Sequence, residues 1–289
     1  MLILALNPGS TSLKFAVYEN ETEQKRSVIR FDQATLELPL EDRAKLCEKL
    51  IMDFLQEEHI SLNDLDCVVA RGGFLKKLKT GAYRINEKLL ADLDGSIMRT
   101  PQTVGIRIAY SMMHALKKPC LIYDAVSADE WDPIAKVTGV KGVQKTVAQH
   151  TLNSRRVAIE LARQLKGKLT DFNLIVAHLG GGFDVSFFER GRIIESLGYN
   201  DLGFSPDRCG ALQFDDLLAL EDRLPPSDFW ALNHGKGGLV SHFGTADMQE
   251  VEAMIKEGNE EAKLVYEAMF YRLSQLIGCG AVALKGKVD

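Results

Sequence analysis

Residues 173–191, NLIVAHLGGGFDVSFFERG, decide the fold class of this chain. A short apolar strand leads into three glycines, a second strand follows with apolar residues at alternate positions, and a charged glycine turn ends it. Residues 3–19, ILALNPGSTSLKFAVYE, show the same order of strand, polar glycine loop and alternating strand. The two stretches share the order of their elements more than the identity of their residues. A repeat on this scale predicts two similar α/β domains.

We place the domain boundary at residue 150, which gives an N-terminal domain over 1–150 and a C-terminal domain over 151–289. Between the two copies of the repeat, the pattern predicts a helix over 103–116, a strand at 120–124 and a helix over 146–165. Because each domain contributes a glycine loop, we expect an interdomain cleft with the two loops facing a ligand.

Composition and charge exclude some partners. The chain carries 35 Lys and Arg against 40 Asp and Glu, a net charge of −5, so it has no basic surplus for a phosphate backbone. The most basic stretch, FLKKLKTGAYR at 74–84, is typical of a solvated loop beside a hairpin. We expect no nucleic-acid partner.

Cysteine usage and hydropathy indicate a cytoplasmic protein. The five cysteines are far apart and form no Cys-x-x-Cys pair, which argues against a disulfide framework and against a zinc site. The N-terminal MLILAL is too short for a signal-peptide core, and no apolar run reaches membrane-spanning length. We therefore expect no membrane association.

The first glycine loop offers phosphate ligands. It combines backbone N–H groups, hydroxyls and an ammonium group, which are the donors that a phosphate needs. The candidate residues are Asn7, Gly9, Ser10, Thr11, Ser12 and Lys14. The alternative is a polar hairpin loop with a surface lysine, since Gly-Ser-Thr loops are common.

The second glycine loop is the other phosphate candidate. His178 ends a buried strand, and Gly180, Gly181 and Gly182 would let a phosphate chain approach the backbone closely. A structural histidine is the alternative for His178. The sequence has no Walker pattern, and GCGAVA at 278–283 falls inside an apolar helix, so it is no dinucleotide fingerprint.

Three further residues follow strand ends or lie in a loop. Arg71 ends CVVAR, Asp124 ends CLIYD, and Arg208 lies in SPDRCG. Strand ends are where side chains converge in α/β domains. Two arginines, a histidine and a carboxylate near a phosphate loop suit phosphoryl transfer, while a buried Arg–Asp pair is the structural alternative for Arg71 and Asp124.

Several stretches together resemble the butyrate kinases of the acetate kinase family. In order they are LNPGSTSLKFAVYENE, VVARGGFLKKLKTGAYRINEKLL, QHTLN, NLIVAHLGGG, GRII, FSPDRCG, GKGGLV, GTADMQEVEAMI and GKVD. The likeness covers the whole chain. It implies an actin-like ATPase fold of two ribonuclease-H-like domains, with Mg²⁺-ATP and a short-chain fatty acid as substrates and an acyl phosphate and ADP as products.

The resemblance also implies roles for individual residues. Asn7 and Ser10 would lie near the phosphates and magnesium, Arg71 would hold the carboxylate, and Asp124 would orient the acid-binding region. His178 and Arg208 would stabilise the transferring phosphoryl group, with His150 near the same centre. Asp247 falls in the nucleotide-binding segment. The expected partners are a short-chain carboxylic acid or acyl phosphate and a second copy of the chain, as a homo-oligomer.

The sequence departs from the family pattern at Thr100, Ala246 and Gln249, in GYNDLG, and beyond GKVD, where the family continues. We therefore expect a divergent, C-terminally truncated member whose second domain lacks a final strand and helices. The alternative function is a catalytically impaired remnant that binds nucleotide weakly or associates with a full-length partner. An actin-like sugar kinase shares the loops but does not explain GAYRINEKLL.

Overall fold

The computed structural model describes residues 1–9, 12–95 and 102–289. The chain divides into two compact units, Met1–Asp129 and Glu130–Asp289, whereas the sequence analysis placed the boundary at 150. The segment before 150 packs into the second unit, because Trp131 and Val147 share an apolar cluster with Ala158 and Leu174.

The first unit is built on a mixed six-stranded sheet in the order β3-β2-β1-β4-β6-β5. Strands β1, β2 and β3 form an antiparallel meander, in which β1 and β2 are the two strands predicted for residues 3–19. Strands β1, β4 and β6 run parallel. The strands are β1 Leu2–Pro8, β2 Ser12–Glu19, β3 Thr22–Arg30, β4 Cys67–Arg71, β5 Ala82–Arg84 and β6 Cys120–Tyr123.

In the described part of this unit the helices beside the sheet are α1 Gln33–Glu37, α2 Leu40–Glu57, α3 Glu87–Asp94 and α4 Gln102–His114. Helix α4 packs on β1, β4 and β6, and α2 packs on α4. The close approach of α4 needs a glycine, because a Cβ on Gly105 would lie 3.0 Å from the Pro8 ring.

The basic stretch at 74–84 is solvated, as expected. Two of its lysines form ion pairs, Lys76 with Asp92 and Lys77 with Asp129.

The second unit contains a three-stranded antiparallel sheet, β7 Asn173–Leu179, β8 Phe183–Glu189 and β9 Arg192–Gly198, in that order. This meander repeats the first, as predicted. The β8–β9 turn uses Arg190 and Gly191 at φ 49° and 91°, the left-handed pair that fits a two-residue hairpin.

The helices of this unit are α5 Pro133–Lys136, α6 Thr151–Gln164, α7 Phe214–Glu221, α8 Pro226–Ala231, α9 Gly238–Phe243, α10 Met248–Lys256 and α11 Glu260–Ala283. The sheet is covered on both faces. Phe187 lies in a cluster with Met269 of α11, and Phe188 lies in another with Ala158 of α6. Strand β8 is therefore buried along nearly its whole length.

The predicted helix over 146–165 begins later, at Thr151, with His150 as its N-cap. The physical reason is that the preceding residues have partners outside a helix. The His150 N–H donates to Asp184 at 2.7 Å, and the Trp131 indole donates to the side chain of Gln149.

Across the described residues, none of the helices combines the length and apolar composition that a membrane crossing requires.

Candidate active site

Three candidate residues lie at one edge of the first sheet. Asn7, Arg71 and Asp124 are at or just beyond the carboxyl ends of β1, β4 and β6, which are parallel neighbours. The register aligns them, because Leu6 lies opposite Ala70 and Arg71 opposite Tyr123. The parallel strands thus bring together the residues that the sequence analysis selected for substrate binding.

Asp124 is held firmly at this edge. Its side chain is buried, and its φ of 42° is uncommon for a residue other than glycine. Its Oδ1 accepts from the Gly81 N–H at 2.7 Å, and its own N–H donates to the Gly81 carbonyl at 3.1 Å. The reciprocal pair fastens the loop between β4 and β5 to the end of β6.

The first glycine loop is described in part. Asn7 and Lys14 are exposed and lie opposite each other in the β1–β2 ladder, and the Gly9 N–H donates to the Ser12 carbonyl at 2.8 Å. Ser10 and Thr11 lie outside the described residues, as does Thr100. The described part leaves an amide and an ammonium group open to solvent at the base of the loop.

The second glycine loop contacts SPDRCG. The Gly181 carbonyl accepts from the Asp207 N–H at 3.1 Å and from the Ser205 hydroxyl at 2.6 Å. A Cβ on Gly181 would lie 2.7 Å from the Asp207 carboxylate, and one on Gly180 would lie 3.1 Å from His178 Nε2. These two glycines make room for side chains of the protein itself, a use that the sequence analysis did not foresee.

Arg208 reaches the same loop. Its guanidinium lies 3.1 Å from Asp207 Oδ1 and 5.6 Å from the centre of the Tyr199 ring. Burial raises the pKa of the Tyr199 hydroxyl, and the charge of Arg208 offsets part of that increase. Arg208 itself is about three-quarters buried, with 23% of its side chain exposed, so its charge acts in a poorly hydrated setting.

Two histidines stack beside the loop. The rings of His150 and His178 lie 3.8 Å apart at 14° to each other. His178 Nδ1 lies 2.8 Å from the side-chain amide of Asn153, one turn into α6. With the amide as donor, the proton of a neutral His178 belongs on Nε2.

A buried carboxylate supports His150. Asp184, on β8, is 4% exposed, and its Oδ1 lies 3.2 Å from His150 Nδ1. The sequence analysis missed Asp184. The signal was an acidic residue in the otherwise apolar and neutral FDVSFF, where a charge must have a partner.

The structure therefore brings His150, His178, Arg208 and the glycines at 180–182 into one cluster in the second unit, together with the unpredicted Asn153, Asp184, Tyr199 and Asp207. Asp247 is outside this cluster. It is exposed, and its side chain caps its own helix, α10, by accepting from the Gln249 N–H at 2.8 Å.

The exposed Asn7 amide is chemically suited to magnesium, a cation that prefers oxygen ligands. Among the described residues there is no group of three or more His, Cys, Asp or Glu side chains that would form a cage. Mg²⁺ keeps several waters and needs only one or two protein oxygens beside phosphate oxygens. The exposed amide of Asn7 could supply one such oxygen.

Solved structures share this fold. An acetate kinase from Porphyromonas gingivalis matches with a TM-score of 0.80 and 19% identity, over 100% of this chain and 81% of that one. An acetate kinase from Entamoeba histolytica matches with a TM-score of 0.78 and 17% identity, over 98% and 79%. A propionate kinase from Francisella tularensis matches with a TM-score of 0.79 and 18% identity, over 98% and 80%. The predicted actin-like α/β fold is confirmed.

The sequence comparison gives the family itself. Residues 136–289, more than half of the chain, match the model of the acetokinase family. The matched region contains the stacked histidines, the second glycine loop and Arg208. This chain belongs to the acetokinase family.

Proposed function

We propose that the chain is a carboxylate kinase, which transfers the γ-phosphoryl group of ATP to a short-chain fatty acid, butyrate or an acid of similar size. The products are an acyl phosphate and ADP. The observation that carries the proposal is the convergence of Arg208, His178 and His150 around the second glycine loop.

That cluster suits a phosphoryl transition state. Negative charge spreads over the equatorial oxygens as the group moves between donor and acceptor, so catalysis depends on positioning and charge neutralisation. Arg208 offers a fork of N–H donors, and His178 offers Nε2–H when Asn153 occupies its Nδ1.

The acid would bind at the edge of the first sheet. Arg71 would hold its carboxylate through charge-assisted hydrogen bonds. Asp124 would order the loop after Arg71 through its reciprocal bonds with Gly81. One carboxylate oxygen attacks the γ-phosphorus, the bond to the ADP oxygen breaks, and ADP leaves with that electron pair.

Magnesium and ATP would bind through the glycine loops. Magnesium neutralises phosphate charge when bound, and Asn7 would contribute an oxygen to its shell. The proposed phosphate ligands are Gly9, Ser10, Thr11, Ser12 and Lys14 on the first loop and Gly180, Gly181 and Gly182 on the second. Asp247 is proposed to belong to the nucleotide-binding segment.

The test is to trap acyl phosphate with hydroxylamine in the presence of Mg²⁺-ATP and acetate, propionate, butyrate or isobutyrate. We expect hydroxamate with the wild-type protein, most of it with a C4 acid, and a loss of about 100-fold or more with Arg208→Ala. Equal product from wild type and Arg208→Ala would contradict the proposal.

A second candidate is a catalytically impaired chain that binds nucleotide weakly and does not turn over. The observation that favours it is the capping bond of Asp247, because a carboxylate that accepts from the Gln249 N–H is less available to a nucleotide. Calorimetric titration with Mg²⁺-ADP distinguishes the two, because this candidate gives binding but no hydroxamate with any acid.

We also propose that the protein is a homo-oligomer and works in the cytoplasm. Sedimentation velocity of the purified protein would measure its association state directly.

A further inference from the structure

Asp184 has the geometry of a residue that controls a neighbouring histidine. Its Oδ2 accepts from the His150 N–H at 2.7 Å, which fixes the carboxylate in place. Its Oδ1 then lies 3.2 Å from His150 Nδ1. Among the described residues, neither of these last two atoms has an aligned hydrogen-bond partner, and both are inaccessible to solvent. These two atoms thus lie within ion-pair distance of each other in a site closed to solvent.

The packing around Asp184 is tight. A Cβ on Gly198, across the β8–β9 ladder, would lie 3.2 Å from the Asp184 Cβ, so the strand leaves little room for movement. A buried carboxylate is costly unless a donor or a cation faces it. A proton on His150 Nδ1, 3.2 Å from Asp184 Oδ1, would meet this need in a neutral or a protonated ring.

Resting on the proposed function, we propose that Asp184 is a positioning residue for the reaction. It holds the proton of His150 on Nδ1 and so leaves Nε2 as the unprotonated nitrogen of the neutral ring. The partner of one ring nitrogen sets the role of the other. Because His150 stacks on His178, the same contact also holds the ring of His178 in place.

The substitution Asp184→Asn replaces one hydrogen-bond acceptor, a carboxylate oxygen, by a donor, an amide –NH₂. The asparagine oxygen must face the His150 N–H, which places the amide –NH₂ opposite Nδ1. A donor opposite Nδ1 favours the proton on Nε2. The variant should therefore exchange the tautomer of His150 while keeping the shape and the backbone hydrogen bond.

Two-bond ¹⁵N–¹H spectra of the imidazole rings measure this without any substrate. The chain has only six histidines, and His150→Gln identifies the signal of interest. We expect an Nδ1–H pattern for His150 in the wild type and an Nε2–H pattern in Asp184→Asn. The matched control is Ser186→Ala, two residues along β8 and also buried, whose hydroxyl bonds to Ser196. It should leave the His150 pattern unchanged.

Kinetics provide the second readout. Asp184→Asn should lower kcat by about tenfold or more, because replacing the carboxylate that sets the tautomer of a catalytic histidine impairs catalysis. The KM values for ATP and acid should change less than twofold, and Ser186→Ala should match the wild type.

The outcomes separate this inference from the proposed function. An unchanged tautomer in Asp184→Asn overturns the inference, whatever the activity. An exchanged tautomer with unchanged kcat overturns the catalytic part of the inference. A wild type without turnover whose tautomer still responds to Asp184→Asn removes the proposed function and leaves Asp184 as the residue that orients His150.

Discussion

The absence of a side chain at Gly181 determines how closely the Asp207–Arg208 pair approaches the second glycine loop. The Cβ of an alanine there would lie 2.7 Å from the Asp207 carboxylate, closer than real contacts allow. Asp207 would have to move, and its ion pair with Arg208 would move with it. We expect Gly181→Ala to lower acyl phosphate formation about 100-fold, since misplacement by about 1 Å has such an effect.

Gly182→Ala is the control for that substitution. Its Cβ would make only ordinary contacts, 3.5 Å from Tyr199 and 3.7 Å from Arg208. Because Gly182 is itself a proposed phosphate ligand, we expect some loss in the hydroxamate assay, but a clearly smaller one than in Gly181→Ala. Similar losses in both variants would mean that the loop backbone, not Asp207, is the sensitive element.

Glu195 on β9 should make stability depend on pH. Burial raises the pKa of this carboxyl, and Lys145, 3.6 Å away, opposes the shift. Between the unfolded pKa and the raised folded pKa, the folded state binds more protons than the unfolded state. The free energy of unfolding therefore falls as pH rises through this range.

Glu195→Gln should reduce the fall in the free energy of unfolding that occurs as pH rises. Chemical unfolding of both proteins at intervals from pH 4 to pH 7 gives the difference curve, in which contributions common to both cancel. As pH rises, the free energy of unfolding of the variant should increase relative to that of the wild type. A constant or opposite difference would mean that the surroundings do not disfavour the ionised form of Glu195.

At the scale of elements, the long helix α11 contains two glycines with opposite roles. A Cβ on Gly280 would lie 2.7 Å from the Phe187 ring, whereas a Cβ on Gly278 would meet nothing within 4 Å. We expect Gly280→Ala to lower the free energy of unfolding by about 1–3 kcal/mol through overpacking. Gly278→Ala should raise it by about 0.5–1 kcal/mol through helix propensity. Urea unfolding of both variants checks this, and equal effects would contradict the packing of α11 on β8.

The elements also show what the sequence could predict. Strands β1–β3 and β7–β9 were predictable because alternating apolar residues and glycine turns are local signals. The start of α6 was not, because the His150 N–H is taken by Asp184, 34 residues away. Asp184 itself escaped notice for the same reason: its partner is defined by tertiary structure. His178 and Arg208 were found because they lie in short stretches with a recognisable order.

At the scale of the whole molecule, the proposed reaction needs both compact units. Arg71 belongs to Met1–Asp129, while His178 and Arg208 belong to Glu130–Asp289. The first unit presents Arg71 at the carboxyl edge of its sheet, and the second presents His178 and Arg208 at the second glycine loop.

A double-mutant cycle tests this requirement. If Arg71 and Arg208 act on one transition state, Arg71→Ala and Arg208→Ala should each lower kcat/KM for the acid by about 100-fold or more. The double variant should lose much less than the product of the two single effects, since groups that act as a unit are not additive. Arg26→Ala, an exposed arginine of the first unit paired only with Glu23 among the described residues, is the matched control and should retain full activity. Strictly multiplicative losses would mean that Arg71 and Arg208 do not act on one transition state.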